Sequence, residues 1–134
     1  MSDTVTLIRH YYEAFNAGDS ARMLSYLSAD VVHDVNQGER RIGKDKFREF
    51  NERMSRHYQE MLTEIVIMVA ADGTRAAAEF TVNGSYIHTD ADLPPATGQR
   101  YVLPAGAFFA ISDGRITRVT TYYNLADWIS QVTA

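Results

Sequence analysis

At 134 residues with 46% hydrophobic side chains, the chain is expected to form a single domain, residues 1–134, with a core of its own. It has no cysteine, which excludes disulfides, thiolate metal sites and a cysteine nucleophile. Its 17 acidic and 13 basic residues give a net charge of −4, the wrong sign for a nucleic-acid surface.

The start, Met1-Ser2-Asp3-Thr4-Val5, lacks the basic flank and apolar stretch of a secretion signal, so a cytoplasmic location is expected. The longest apolar runs, 65–71 and 102–111, fall well short of the roughly 20 residues needed to cross a bilayer, so no membrane association is expected.

The first half reads mainly as helix. Leu7, Ile8, Tyr11, Tyr12 and Phe15 recur at spacings of three and four, and Asn16-Ala17-Gly18 stops that helix. Asp19 caps a second, shorter helix with Met23, Leu24 and Leu27 on its apolar side. An extended stretch from Val31 to Asn36 follows, closed by Gln37-Gly38. Gly43 then leads into a third helix whose buried stripe is Phe47, Phe50, Met54, Tyr58 and Met61.

The second half reads as strands. Thr63 to Ala70 is apolar and β-branched, and Asp72-Gly73 turns it into a long run from Arg75 to about His88. A loop from Thr89 to Gly98 carries Pro94-Pro95. A strand from Arg100 to Ile111 meets Ile116 to Tyr123 through Asp113-Gly114, and Leu125 to Ile129 forms a short terminal helix. Helices first and hairpins later make the class α+β, with a curved antiparallel sheet of about four to six strands around three helices. The mouth of such a cone is a natural ligand site.

Several phrases resemble the nuclear-transport-factor-2-like superfamily, in its SnoaL-like and ketosteroid-isomerase-related branch. They are Tyr11 to Asp19, Leu27 to Asp34, Arg41-Ile42-Gly43-Lys44, Asp113 to Ile116, and Tyr122-Tyr123-Asn124-Leu125 followed by Trp128 and Gln131. His33 to Gly38 and Leu103 to Phe109 resemble ketosteroid-isomerase-related proteins in particular. The resemblance implies the cone-shaped fold over nearly the whole chain. It also implies proton transfer without a cofactor, on an apolar carbonyl-containing small molecule. The fold equally hosts binders without turnover, which is the alternative reading.

Carried over residue by residue, the resemblance makes Asp34 the catalytic base, with a one-residue gap after Asp30, and Tyr11 the donor to the developing oxyanion. The place of the family's second donor falls at Gly106, which has no side chain to donate. Tyr86, Tyr101, Tyr122 and Asn124 are candidates to replace it.

By strict alternation Asp34 and Asn36 share one face with Val32, and His33 shares the other with Val31 and Val35. The Asp34 face is expected to line the pocket, with Asn36 as its polar companion. His33 is expected either as a substrate-binding residue of the site or as a structural histidine hydrogen-bonded near the strand end. A direct His33–Asp34 couple would need a bulge.

His88-x-Asp90-x-Asp92 has metal-like spacing but sits in the loop; it reads as a solvated acidic lid, and no metal is expected. Along the long fourth run, Ala76, Ala78, Phe80, Val82, Gly84 and Tyr86 alternate with Ala77, Glu79, Thr81, Asn83 and Ser85. One set faces the cone, and the other is expected against a second copy of the chain in a homodimer.

Overall fold

The computed structural model describes residues 2–36 and 38–133. Gln37, expected with Gly38 to close the first extended stretch, lies outside the described residues.

Helix α1 (Ser2–Ala17) ends at Gly18, whose φ of +70° only glycine adopts without strain. Helix α2 (Ser20–Ser25) starts where the Asp19 carboxylate accepts from the Arg22 backbone N–H at 3.1 Å. Strand β1 (Leu27–Val35) and the short β2 (Arg41–Ile42) precede α3 (Lys44–His57). Strands β3 (Tyr58–Val69), β4 (Arg75–Tyr86), β5 (Gln99–Ser112) and β6 (Arg115–Tyr123) follow, then α4 (Leu125–Val132). No described helix is long and apolar enough to cross a membrane.

The six strands form one curved, unclosed sheet in the order β2-β1-β6-β5-β4-β3. All neighbours are antiparallel except β1 and β6, which run parallel. The expected α+β fold is therefore present, with two corrections. Arg41-Ile42 is a strand. The third helix stops at His57 rather than running on to Met61, so Tyr58 and Met61 belong to a strand. No Gly or Pro marks that stop. Instead the amides of Ile87 and His88 both donate to the His57 carbonyl, and Tyr58 turns extended.

Period-two alternation sorts the sheet into two faces. Ala76, Ala78, Phe80, Val82 and Tyr86 face the helices, packed with Tyr101, Leu103, Ala107 and Phe109 of β5 and Val119 of β6. Ile8, Tyr11, Tyr12 and Ala14 of α1, Met23 and Leu24 of α2, and Phe47 of α3 fill the concave side. The convex side is left without helices and exposes Met61, Val66, Met68, Val102, Phe108 and Tyr122.

Two side-chain amides seal open strand backbone. Asn16 at the end of α1 gives and takes a hydrogen bond at Leu62 on the edge strand β3, both 2.9 Å. Gln131 of α4 does the same at Val102, beyond the point where β6 stops pairing with β5. Each amide acts as a one-residue strand and removes unpaired backbone from the edge.

Candidate functional site

The end of the sheet where β3 and β5 begin, and where β4 and β6 finish, gathers ionisable and phenolic groups on its concave side. Because α3 gives way to β3 at Tyr58, alternation turns Tyr58, Glu60 and Leu62 inward and Gln59 and Met61 outward. Glu60 lies in register with Gly84, and Gly84 with Tyr101. The Tyr101 ring lies across Gly84, in space that a Cβ there would occupy, and its hydroxyl donates to Glu60 Oε2 at 2.6 Å.

Burial pushes the Glu60 carboxyl above the ordinary range; the Tyr101 bond pulls the other way without cancelling it. Burial and the neighbouring Glu60 charge together raise the Tyr101 phenol, which therefore stays protonated and donating. Glu60 Oε1 has no hydrogen-bond partner among the described residues, and the residue is only half-buried.

A second carboxyl, Asp90, is 5% exposed at the start of the 89–98 loop. Arg53 of α3 donates to its Oδ1 at 2.6 Å and the Tyr58 hydroxyl to its Oδ2 at 2.9 Å. Burial alone would raise its pKa. The Tyr58 and Arg53 bonds and the Arg53 charge outweigh that, and Asp90 is held below the usual range. The two carboxyls are thus split in acidity, one toward the protonated form and one fixed as an anion.

Aromatic rings wall the site. Tyr58 stacks on Tyr86 at 5.4 Å, and Trp128 of α4 meets Tyr58, Tyr86 and Tyr101 edge-on at 5.9, 4.8 and 5.9 Å. Asn124 caps α4 by accepting from the Asp127 amide. Gln131 and a Gln99-to-Val132 bond of 2.9 Å then tie the helix down over the rings. An open cleft of about 640 Å³, lined by Asp3, His10, Asp72 and Asp113 among others, lies at the opposite end of the sheet, away from these groups.

The residues expected at the site are dispersed. Asp34 pairs with Thr120 across the β1–β6 ladder and lies on the convex face. Arg40 grips both its oxygens at 2.8 and 2.9 Å, and Thr120 donates to Oδ2 at 3.0 Å. The Arg40 hydrogen bond, followed by that from Thr120, lowers its pKa despite some burial. This corrects the expectation of a pocket-facing base. The family spacing needed a one-residue gap, and because the side-chain period is two, one residue decides the face. Val35 takes the inward place.

Asn36, at φ +52°, ends β1 and accepts from the Tyr123 amide at 3.1 Å, which is a structural task. Gly106 and Tyr122 pair with each other on the convex side, so neither lines the concavity. Asn124 is a helix cap. Tyr86 is inward and fully buried, but its hydroxyl is spent on the Pro94 carbonyl and the Asp90 amide, where it anchors the loop.

Tyr101 is at the site. Tyr11 is inward but deep, edge-on to Phe109 at 5.8 Å and to Tyr12 at 5.1 Å, with burial raising its phenol. His33 is inward and 4% exposed, between Phe47 and Phe50 at 4.3 and 4.8 Å. Burial, then the Arg41 charge, lower its pKa to about 4 against a weaker pull from Asp34, so it is neutral. Its Nδ1 has no hydrogen-bond partner among the described residues.

His88, Asp90 and Asp92 do not converge. Asp90 turns inward, while His88 and Asp92 are exposed, which corrects the reading of all three as a solvated lid. Among the described residues no three His, Asp or Glu side chains are placed to hold a metal ion.

Glu60 escaped sequence reasoning because Tyr58 to Met61 continues the helical stripe of α3. The available signal was an acidic residue in the alternation Tyr58-x-Glu60-x-Leu62, visible only if the strand is started at Tyr58.

Comparison with known proteins agrees with this architecture. No curated protein sequence matches the chain. A solved structure of a candidate polyketide cyclase from Pseudomonas putida is 60% identical, over 95% of this chain and 96% of that one, with a TM-score of 0.93. A candidate polyketide cyclase from a Silicibacter species is 56% identical over 100% and 98%, with a TM-score of 0.97. One from Xanthomonas campestris is 52% identical over 98% of both chains, with a TM-score of 0.96. The SnoaL-like domain family matches residues 8–119. With the concave site on a curved six-stranded sheet, the chain belongs to the SnoaL-like domain family.

Proposed function

We propose that the concave site performs proton transfer of the isomerase or cyclase type on an apolar, carbonyl-bearing small molecule, with Glu60 as the group that takes and returns the proton. The observation that carries this reading is the Glu60 carboxyl itself. It is half-buried, raised in pKa, held by Tyr101 through one oxygen and without a hydrogen-bond partner at the other among the described residues. A general base or acid working near neutrality needs that combination.

Glu60 would take a proton from the carbon beside the carbonyl, and the C–H electron pair would move toward the carbonyl oxygen. Where a carbon–carbon double bond is conjugated with it, the resulting dienolate regains the proton from Glu60 at its far carbon. Otherwise the enolate carbon attacks a second carbonyl to close a ring, and the new alkoxide takes the proton from Glu60. As proposed, both steps use the chain's own acids and bases and no cofactor. The similar proteins described as candidate polyketide cyclases support the substrate class, since polyketides are carbonyl-rich.

The test is deuterium uptake by a panel of cyclic ketones in heavy water, followed by NMR. Uptake by wild type that falls about 100-fold or more in Glu60→Gln supports the reading. Background uptake by wild type across the panel overturns it for these ketones.

The convex face favours a second reading, a small-molecule binder that assembles as a homodimer. Phe108 and Tyr122 lie edge-on at 6.1 Å, and with Met61, Val66, Met68 and Val102 they leave an apolar sheet face at 43–57% exposure. Sedimentation should give a dimer for wild type and a monomer for Phe108→Glu; a wild-type monomer would end that reading.

A further inference from the structure

An enolate needs a hydrogen-bond donor at its oxygen, and the phenols around Glu60 are not equally free to serve. Tyr101 has given its O–H to Glu60, Tyr58 to Asp90 and Tyr86 to the Pro94 carbonyl. Tyr11 and Tyr12 lie deeper, with their rings against Phe80 and Phe109. Tyr122 is on the convex face.

Tyr123 remains. It is the last residue of β6, faces inward opposite Ala105 and is half-buried. Its hydroxyl has no hydrogen-bond partner among the described residues. Two features fix its position: the Asn36 side chain holds its amide at 3.1 Å, and the next residue caps α4.

We infer that Tyr123 donates the hydrogen bond to the substrate's carbonyl oxygen, facing the carbon that Glu60 deprotonates. The inference rests on the proton-transfer reading and adds the group that receives the developing charge. When Glu60 takes the α-proton, the electron pair settles on the oxygen, and the phenol stabilises it while keeping its own proton. Burial raises the Tyr123 phenol, and the charges of Glu60 and Asp90 raise it further, so it remains a donor through the neutral range. Tyr123 is thus the inward phenol at this end of the sheet whose hydroxyl is not already given to a protein acceptor among the described residues.

The probe is 2-naphthol, a flat apolar ring with one oxygen, followed by fluorescence titration beside naphthalene, which lacks the oxygen. Wild type should bind 2-naphthol about tenfold tighter than naphthalene, and Tyr123→Phe should lose that preference. Because the removed oxygen has no protein partner, the melting temperature should hold. Tyr122→Phe should leave both affinities unchanged. In the ketone exchange assay Tyr123→Phe should lower the rate about 100-fold, mostly in kcat.

Exchange that needs Glu60 but is kept in Tyr123→Phe overturns the donor assignment and leaves the proton-transfer reading standing. A Tyr123-dependent naphthol preference without any ketone exchange supports the contact and overturns proton transfer. A wild type with no preference for naphthol overturns the assignment.

Discussion

The Tyr101 ring lies flat across Gly84 and delivers its hydroxyl to Glu60, so a missing side chain on β4 is what lets β5 reach β3. A Cβ at position 84 would overlap the ring itself. Gly84→Ala is therefore expected to turn Tyr101 away, strand the Glu60 carboxyl without its donor, and cost about 1–3 kcal/mol through overpacking. Urea unfolding measures the cost. Ketone exchange should fall to the level of Tyr101→Phe, and equal stability and exchange to wild type would show that the ring has another seat.

Glu60 should leave a mark on stability against pH. Its folded pKa is raised above the ordinary 4.5, so the folded state holds a proton that the unfolded state has released. Stability must then fall as pH rises from about 4.5 through the folded value. Asp90 and Asp34 act oppositely: their lowered pKa values add stability above about 3.8 that is lost as pH falls further. Glu60→Gln should remove the first slope and keep the second. Urea midpoints from pH 3 to 8 separate the two.

His33 has no acid partner to compensate its burial. With a folded pKa of about 4 against an ordinary 6.5, it binds its proton later than the unfolded chain does. Its contribution is complete above about 6.5 and is lost as pH falls through about 4. The imidazole NMR signals should titrate near 4, and His33→Phe should flatten the acid limb of the stability curve. A midpoint near 6.5 would mean that the ring is not held between Phe47 and Phe50.

Asp34→Asn separates the two faces of the sheet. It should leave ketone exchange unchanged, since Asp34 lies across the sheet from Glu60, and should loosen only the Arg40 loop, with a small loss of melting temperature. Loss of exchange at the level of Glu60→Gln would place the chemistry on the wrong side of this account.

Most of the frame was legible because it is written in local chemistry. Both Asp-Gly turns, the Asp19 cap and the apolar spacing of α1 fix their elements with little help from the rest of the chain. The Asp113-Gly114 pair takes φ values of +52° and +73°, as a tight hairpin requires. The site was less legible for two physical reasons. The face of Asp34 depended on one residue of register, which pairing with β6 decides and local pattern does not. The identity of Glu60 as an inward group depended on where α3 stops. That stop is made by hydrogen bonds to His57 from residues thirty positions further on, so no nearby breaker announces it. Tyr101 and Tyr86 stood beside Tyr122 and Asn124 as candidates on strands that could line the cone, and the strand registers are what separate the inward pair from the others.

The parallel seam between β1 and β6 also governs the order in which the chain acquires structure. Asp34 and Thr120, neighbours across that seam, are 86 positions apart in sequence. Strands β3 to β6 pair with their sequence neighbours, through short turns at β3–β4 and β5–β6 and the 87–98 loop at β4–β5, but β1, β2 and α3 have no sheet to join until β6 exists. Loop-closure entropy must be met before that contact returns any energy. Assembly of the first half onto a preformed four-stranded hairpin array is thus the expected slow step. On the ribosome, His33 would stay in water until nearly the whole chain had emerged.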